Sequence, residues 1–146
     1  MIYLVHHADA VGPDVDSQRP LSEAGRHQAE RLALEAAGRG VKPAVIWHSG
    51  KLRARQTAEP FWRICNPLAE FSAIRGLQPN DPAEWIRDLL TGETRHVMIV
   101  GHMPSLPAIH ELLLGGRAAP AGSFPLHGLV ALEHDGGRWH ERWRLP

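Results

Sequence analysis

Two adjacent imidazoles, His6 and His7, stand near the start of this chain and a third, His102, follows a glycine far downstream; Arg19, Ser49, Arg53 and Asp81 lie between them. A neutral imidazole is a competent nucleophile near neutral pH once its other ring nitrogen is held, and arginine offers an oxyanion a planar fork of donors. Histidine and arginine gathered near backbone N–H groups suit an anion, phosphate most naturally. Singly, each residue has an ordinary alternative. A lone histidine is usually structural, Arg53 reads as a solvated residue paired with Glu59, Ser49 and Gly50 read as a turn, and Asp81 reads as a helix cap.

What links these residues is their place beside apolar runs. Ile2–Val5, Ala44–His48 and His96–Val100 are apolar stretches without polar alternation, the pattern of strands buried on both faces of a parallel sheet. Each ends abruptly in a polar break, at His6–His7, at Ser49–Gly50 and at Gly101–His102. Open α/β sheets bind ligands beyond the carboxyl ends of their strands, so the breaks are where chemistry is expected. Successive residues of an extended chain point to opposite sides, and one of the two opening imidazoles, rather than both, is expected to face a pocket.

Helices are expected between the strands. Ser22 is placed to cap the first, Gly25, Ala29, Leu32, Ala33 and Ala36 recur at helical spacing, and Gly38 and Gly40 mark its exit. The stretch from Lys51 reads as a second helix that Pro60 should kink or divide. Arg53 and Thr57 share one face of it, and Arg55 points elsewhere. A short segment, Glu70–Leu77, leads into a loop, after which Asp81, Pro82 and Glu84 read as cap, first and third positions of another helix. Leu106–Leu114 is the next. The tail differs, with Gly128–Glu133 and Arg138–Arg144 flanking His134–Gly137 as a hairpin, and Trp139, Glu141 and Trp143 alternating with His140, Arg142 and Arg144. The expected fold is therefore α/β, with strand and helix alternating through three units and an antiparallel element finishing the sheet.

Composition narrows the functional classes. The 146 residues suit one domain, 1–146, and 16 basic against 16 acidic side chains give no overall field that favours nucleic acid or an anionic membrane. Cys65 is the single cysteine, which excludes an internal disulfide and any CxxC redox or zinc motif. Met1 runs directly into the first apolar stretch with no secretory pattern, and no apolar run is long enough to span a bilayer. A soluble, cytoplasmic protein is expected.

The motifs resemble those of a known family. The opening LVHHADA resembles the RHG motif of the histidine phosphatase superfamily, and Ser49 with KLRARQTAE resembles its S-x-x-x-R-A-x-Q-T-A signature. GHMP at Gly101–Pro104 resembles the site of the second histidine, and DSQRPLSEAGRHQAERLA from Asp16 is similar to D-x-x-R-P-L-T-x-x-G-x-x-Q-A of the small SixA-like phosphohistidine phosphatases. Four such motifs in the family's order make a specific signal. The resemblance implies an α/β/α sandwich around a mainly parallel sheet, and phosphoryl transfer through a phosphorylated histidine without metal or cofactor. It places His7 as nucleophile, Arg53 as the grip on the phosphoryl oxygens, His102 as the second histidine, and Arg19 and Ser49 as further substrate contacts. The implied substrate is a phosphorylated protein, specifically phosphohistidine, or else a small phosphomonoester.

Three departures from the motifs bear on this. His6 stands where the family has arginine, Ala8 where it has glycine, and Gly50 where many relatives have proline. Imidazole donates one bond in a given direction where guanidinium donates two, so a slower enzyme, or a module that binds phosphate without turnover, is the alternative. The expectation for His6 is that its protonated form partly substitutes for the guanidinium. For the leaving-group proton, Asp81 lies near where larger members carry an acid, and Asp9 is a second candidate.

Overall fold

The computed structural model describes residues 1–117 and 122–146. In chain order the elements are β1 (Ile2–His6), α1 (Glu23–Gly38), β2 (Val45–His48), α2 (Leu52–Cys65), β3 (Glu70–Ala73), α3 (Ala83–Leu90), β4 (Val97–Gly101), α4 (Ser105–Leu113), β5 (Leu129–Asp135) and β6 (Arg138–Leu145). They build one sheet in the order β3-β2-β4-β1-β5-β6, parallel from β3 to β1 and antiparallel from β1 to β6. β1 and β4 are buried at every position because both sheet faces are covered. Tyr3, Val5, Met98 and Val100 face α1 and α2, where they meet Leu32, Ala33, Ala58 and Phe61. Ile2, Leu4, Val97 and Ile99 face α3 and α4, against Ile86, Leu90, Leu106 and Ile109. The result is the expected three-layer α/β/α sandwich.

Four details differ from the sequence reading. Glu70–Ala73 is a fourth parallel strand rather than the lead into a loop; as an edge strand it is largely exposed and lacks the apolar run that marks its neighbours. α2 runs through buried Pro60 as a single element and is not divided there. Asp81 does not cap α3: Pro82 is the cap residue, without a side-chain cap bond, and Asp81 Oδ2 instead accepts the amide of Gln78. Lastly, a bulge between Ala131 and Leu132 leaves Arg142 unmatched on β6, so Leu132 faces Glu141 but Ala131 faces Trp143. One inserted residue moves every later side chain to the other face. Trp139 therefore packs on the α3/α4 side and Trp143 on the α1/α2 side, instead of sharing a stripe.

Other expectations hold in detail. Ser22 caps α1, its hydroxyl accepting the amide of Gly25. Gly25 lets α1 approach the chain just past β1, since a Cβ there would overlap the Asp9 carbonyl. Ala8 has no positive φ, so losing the motif's glycine strains nothing. Gly50, with φ 88°, occupies a conformation that proline cannot adopt, and its amide donates to His48 Nδ1.

Candidate active site

β1, β2 and β4 end level with one another, His6 opposite Gly101 and His48 opposite Val100. His7, Ser49 and His102 are the next residues along each chain, so they emerge together at the carboxyl edge of the sheet. α2 starts three residues after Ser49 and carries Arg53 in its first turn. The rings of His7 and His102 lie 5.1 Å apart, centroid to centroid. Arg55 points away from this edge and is the residue that meets Glu59, which leaves Arg53 without an ion pair among the described residues.

The peptide unit after His7 is held from both sides. Its N–H, that of Ala8, donates to Thr57 Oγ1 at 2.9 Å, and its carbonyl, that of His7, accepts from His127 Nδ1 at 2.7 Å. Thr57 is 1% exposed and donates its own hydroxyl to the Arg53 carbonyl, so one side chain couples this peptide to the turn carrying Arg53. The imidazole of His7 is fixed as well: Nδ1 donates to the Ala8 carbonyl at 2.7 Å, which leaves the Nε2 lone pair free. The adjacent loops are tied to the helices by Gln28 Oε1, which accepts the Asp9 amide, and by Gln56 Oε1, which accepts that of Leu21.

His6 is 4% exposed, and its Nδ1 accepts the backbone amide of His127 at 2.8 Å. A nitrogen that accepts an amide hydrogen carries none of its own, so neutral His6 bears its proton on Nε2. Its ring stacks on His127 at 4.9 Å and lies 4.4 Å from His7. Burial first, then the neighbouring His7, His127 and Arg53, push its pKa down to about 3. His6 is thus a neutral single donor at ordinary pH, against the expectation of a protonated ring, because burial and the nearby Arg53 guanidinium disfavour its charged form.

The same environment acts on the other imidazoles. Burial lowers His7 to about 4, against the raising effect of its bond to Ala8, with Arg53, His127 and Arg19 adding to the fall. Burial lowers His102 to about 3, helped by His7, Arg53, Lys51 and His6. No carboxylate is among these influences. Ser49 Oγ lies 2.7 Å from His102 Nε2 and also accepts the Lys51 amide, so Ser49 holds the His102 ring by its Nε2 edge. Two buried side-chain nitrogens are without partners among the described residues, the Arg53 Nε donor and His102 Nδ1. Buried polar atoms are almost always satisfied, and an exception at a strand-end edge calls for a ligand that accepts hydrogen bonds.

The remaining sequence candidates fall differently. Arg19, at φ 48°, spends its Nε on the Val11 carbonyl, and its charge reaches His7 and Arg53. Ser49 has its hydroxyl committed to His102. Asp81 Oδ2 accepts the backbone amide of Gln78, whose side-chain amide donates to the Ser49 carbonyl, so one residue links Asp81 to the Ser49 segment. Asp9 accepts the Ser22 hydroxyl at 2.6 Å beside the cap of α1. His127 was not singled out in the sequence. It precedes β5, whose antiparallel pairing of Leu129 with Val5 brings the start of β5 against the end of β1. Ring nitrogens of His6, His7 and His127 come within 4.8 Å of one another, yet the amide on His6 Nδ1 leaves only His7 and His127 with free lone pairs, fewer than the three protein ligands that a zinc site needs.

The family model for the histidine phosphatase superfamily (branch 1) matches residues 2–78, more than half of the chain and the part that carries His7, Ser49 and Arg53. The chain belongs to the histidine phosphatase superfamily. Among solved structures it is similar to the protein described as phosphohistidine phosphatase SixA from Agrobacterium tumefaciens, at 32% identity and a TM-score of 0.83, covering 99% of this chain and 96% of that one. A protein histidine phosphatase SixA complexed with tungstate superposes equally well, at 22% identity, a TM-score of 0.83 and coverage of 99% and 95%. A phosphoserine phosphatase mutant from Entamoeba histolytica, in complex with phosphoserine, shares the fold at 14% identity and a TM-score of 0.73, covering 98% and 95%. No curated protein matches the chain. Membership in the superfamily supports phosphatase activity. No helix among the described residues is long and apolar enough to cross a membrane.

Proposed function

We propose that this histidine phosphatase hydrolyses phosphohistidine on a protein by way of its own phosphohistidine at His7. One observation carries the reading: His7 has a free Nε2 lone pair, its ring lies 5.1 Å from that of His102, it feels the charge of Arg53, and both neighbours have a buried nitrogen, Arg53 Nε and His102 Nδ1, without a partner among the described residues. Phosphoryl transfer requires in-line positioning and donors around three oxygens, with little else for the protein to do. In this scheme His7 Nε2 attacks phosphorus, and Arg53 and His102 stabilise the charge spread over the oxygens. His6 adds a neutral Nε2–H where the family motif has a guanidinium, and Arg19 supplies charge from the rim. Because burial and neighbouring cations keep His7 neutral to about pH 4, its nucleophile is unprotonated throughout the ordinary range.

The SixA-like relative at 32% identity supports phosphohistidine as the substrate class, and the second reading, a small phosphomonoester on the same site, uses the same machinery. Brief incubation with a ³²P-labelled phosphohistidine protein, followed by denaturation, should trap an acid-labile, base-stable label that His7→Ala abolishes. Turnover of that protein should exceed turnover of a panel of sugar and nucleotide phosphates. Tungstate binding without label or turnover of any substrate would instead favour a binding module, for which His6 in place of arginine is the motivating feature.

A further inference from the structure

We infer that His127 transfers the proton in this reaction, as general acid to the leaving group and then as general base to the attacking water. This rests on the proposed reaction at His7. Among the described residues only two without a glycine's freedom have positive φ, Arg19 and His127, and both lie at this site. A β-substituted residue held in that region is usually there because its placement matters. His127 has φ 52°, and the conformation directs its amide to His6 Nδ1 and its ring Nδ1 to the His7 carbonyl. The ring is held by Nδ1, its Nε2 has no partner among the described residues, and the residue is only partly buried. Its centroid lies 6.1 Å from that of His7, so the two rings border the same edge of the sheet.

The neighbouring groups are unsuited to the task. His6 has an amide on Nδ1 and would become an imidazolate on giving up its Nε2 proton. His102 is 2% exposed, with Nε2 hydrogen-bonded to Ser49. The Asp81 and Asp9 carboxylates are bound to the Gln78 amide and the Ser22 hydroxyl. Residues 118–121 read Ala-Ala-Pro-Ala and contain no titratable side chain.

The proton balance closes. As the N–P bond forms at His7 Nε2, the bond from phosphorus to the leaving atom breaks, and protonated His127 gives its Nε2 proton to that atom. In the second half, water attacks phosphorus, His127 Nε2 takes the water proton, and the P–N electron pair returns to His7 Nε2. Phosphate leaves with His127 protonated again.

A leaving group's need for a proton is what separates this role from a structural one. For p-nitrophenyl phosphate the leaving oxygen is stable as an anion, and for an alkyl phosphate it is not. The ratio of alkyl to nitrophenyl turnover should fall on the order of 10²-fold in His127→Asn and His127→Gly, whatever their absolute rates. Asparagine tolerates the left-handed backbone and can still donate to the His7 carbonyl, and glycine fits the conformation freely. Because the ratio is internal to each variant, partial unfolding does not move it. An unchanged ratio in both variants overturns the assignment, as does a comparable fall in Asp81→Asn. Absence of label and turnover in the wild-type protein would instead defeat the reaction at His7 itself.

Discussion

Thr57 joins the segment carrying His7 to the helix carrying Arg53 through one hydroxyl, and Thr57→Val tests whether that junction matters. Valine keeps the shape but removes the acceptor, so the Ala8 amide, buried with its residue 2% exposed, loses the one partner it has among the described residues. An orphaned buried donor costs roughly 1–3 kcal/mol. The Arg53 carbonyl also loses the hydroxyl but keeps its place in the helix, a smaller effect, so the total should be about 2 kcal/mol. For a chain of this size each kcal/mol lowers Tm by about 2–4 °C, giving a fall of ~4–8 °C. The peptide after His7 would then be held only through His127 at its carbonyl. A nucleophile misplaced by ~1 Å can lose about 10²-fold in rate, so kcat on an aryl phosphate should fall ~10- to 100-fold with KM little changed. Urea denaturation and steady-state kinetics measure both effects, and Thr57→Ser, which retains the hydroxyl, should restore most of each. If Thr57→Val stays within about 0.5 kcal/mol of wild type, or Thr57→Ser behaves as Thr57→Val does, the coupling through this hydroxyl is not what holds the segment.

Two further predictions concern stability. His6, His7 and His102 have folded pKa values near 3, 4 and 3, below their unfolded value, so the unfolded chain binds more protons in acid and stability must rise with pH. Stability should level off above pH ~6.5 and fall below it, at up to about 1.4 kcal/mol per pH unit for each imidazole, until the folded pKa values are reached. Urea midpoints at pH 7.5 and 5 read the slope, His102→Gln should reduce it by about one proton, and a slope under one proton for the intact protein would refute the account. Gly25→Ala should destabilise by about 1–3 kcal/mol although alanine is the better helix former, because its Cβ would overlap the Asp9 carbonyl; a melting temperature equal to or above that of wild type would contradict the close approach.

The apolar runs and the breaks after them were enough to assign the parallel strands β1, β2 and β4 and to mark their carboxyl ends as the candidate site, because a strand buried on both faces is apolar along its length. The order of His7, Ser49, Arg53 and His102 identified the family, since those motifs are local and survive in linear form. β3 was not legible as a strand because it lies at an edge, and the Arg142 bulge was not legible because alternation along a strand carries no sign of an extra residue until its partner is known. Tertiary structure alone decided what surrounds His6. An antiparallel pairing between residues more than a hundred positions apart brings the amide of His127 to one nitrogen of His6 and its ring to the carbonyl of His7. Tautomers, depressed pKa values and unpartnered donors are properties of surroundings assembled from distant segments, and no local pattern encodes which atoms those surroundings will bring together.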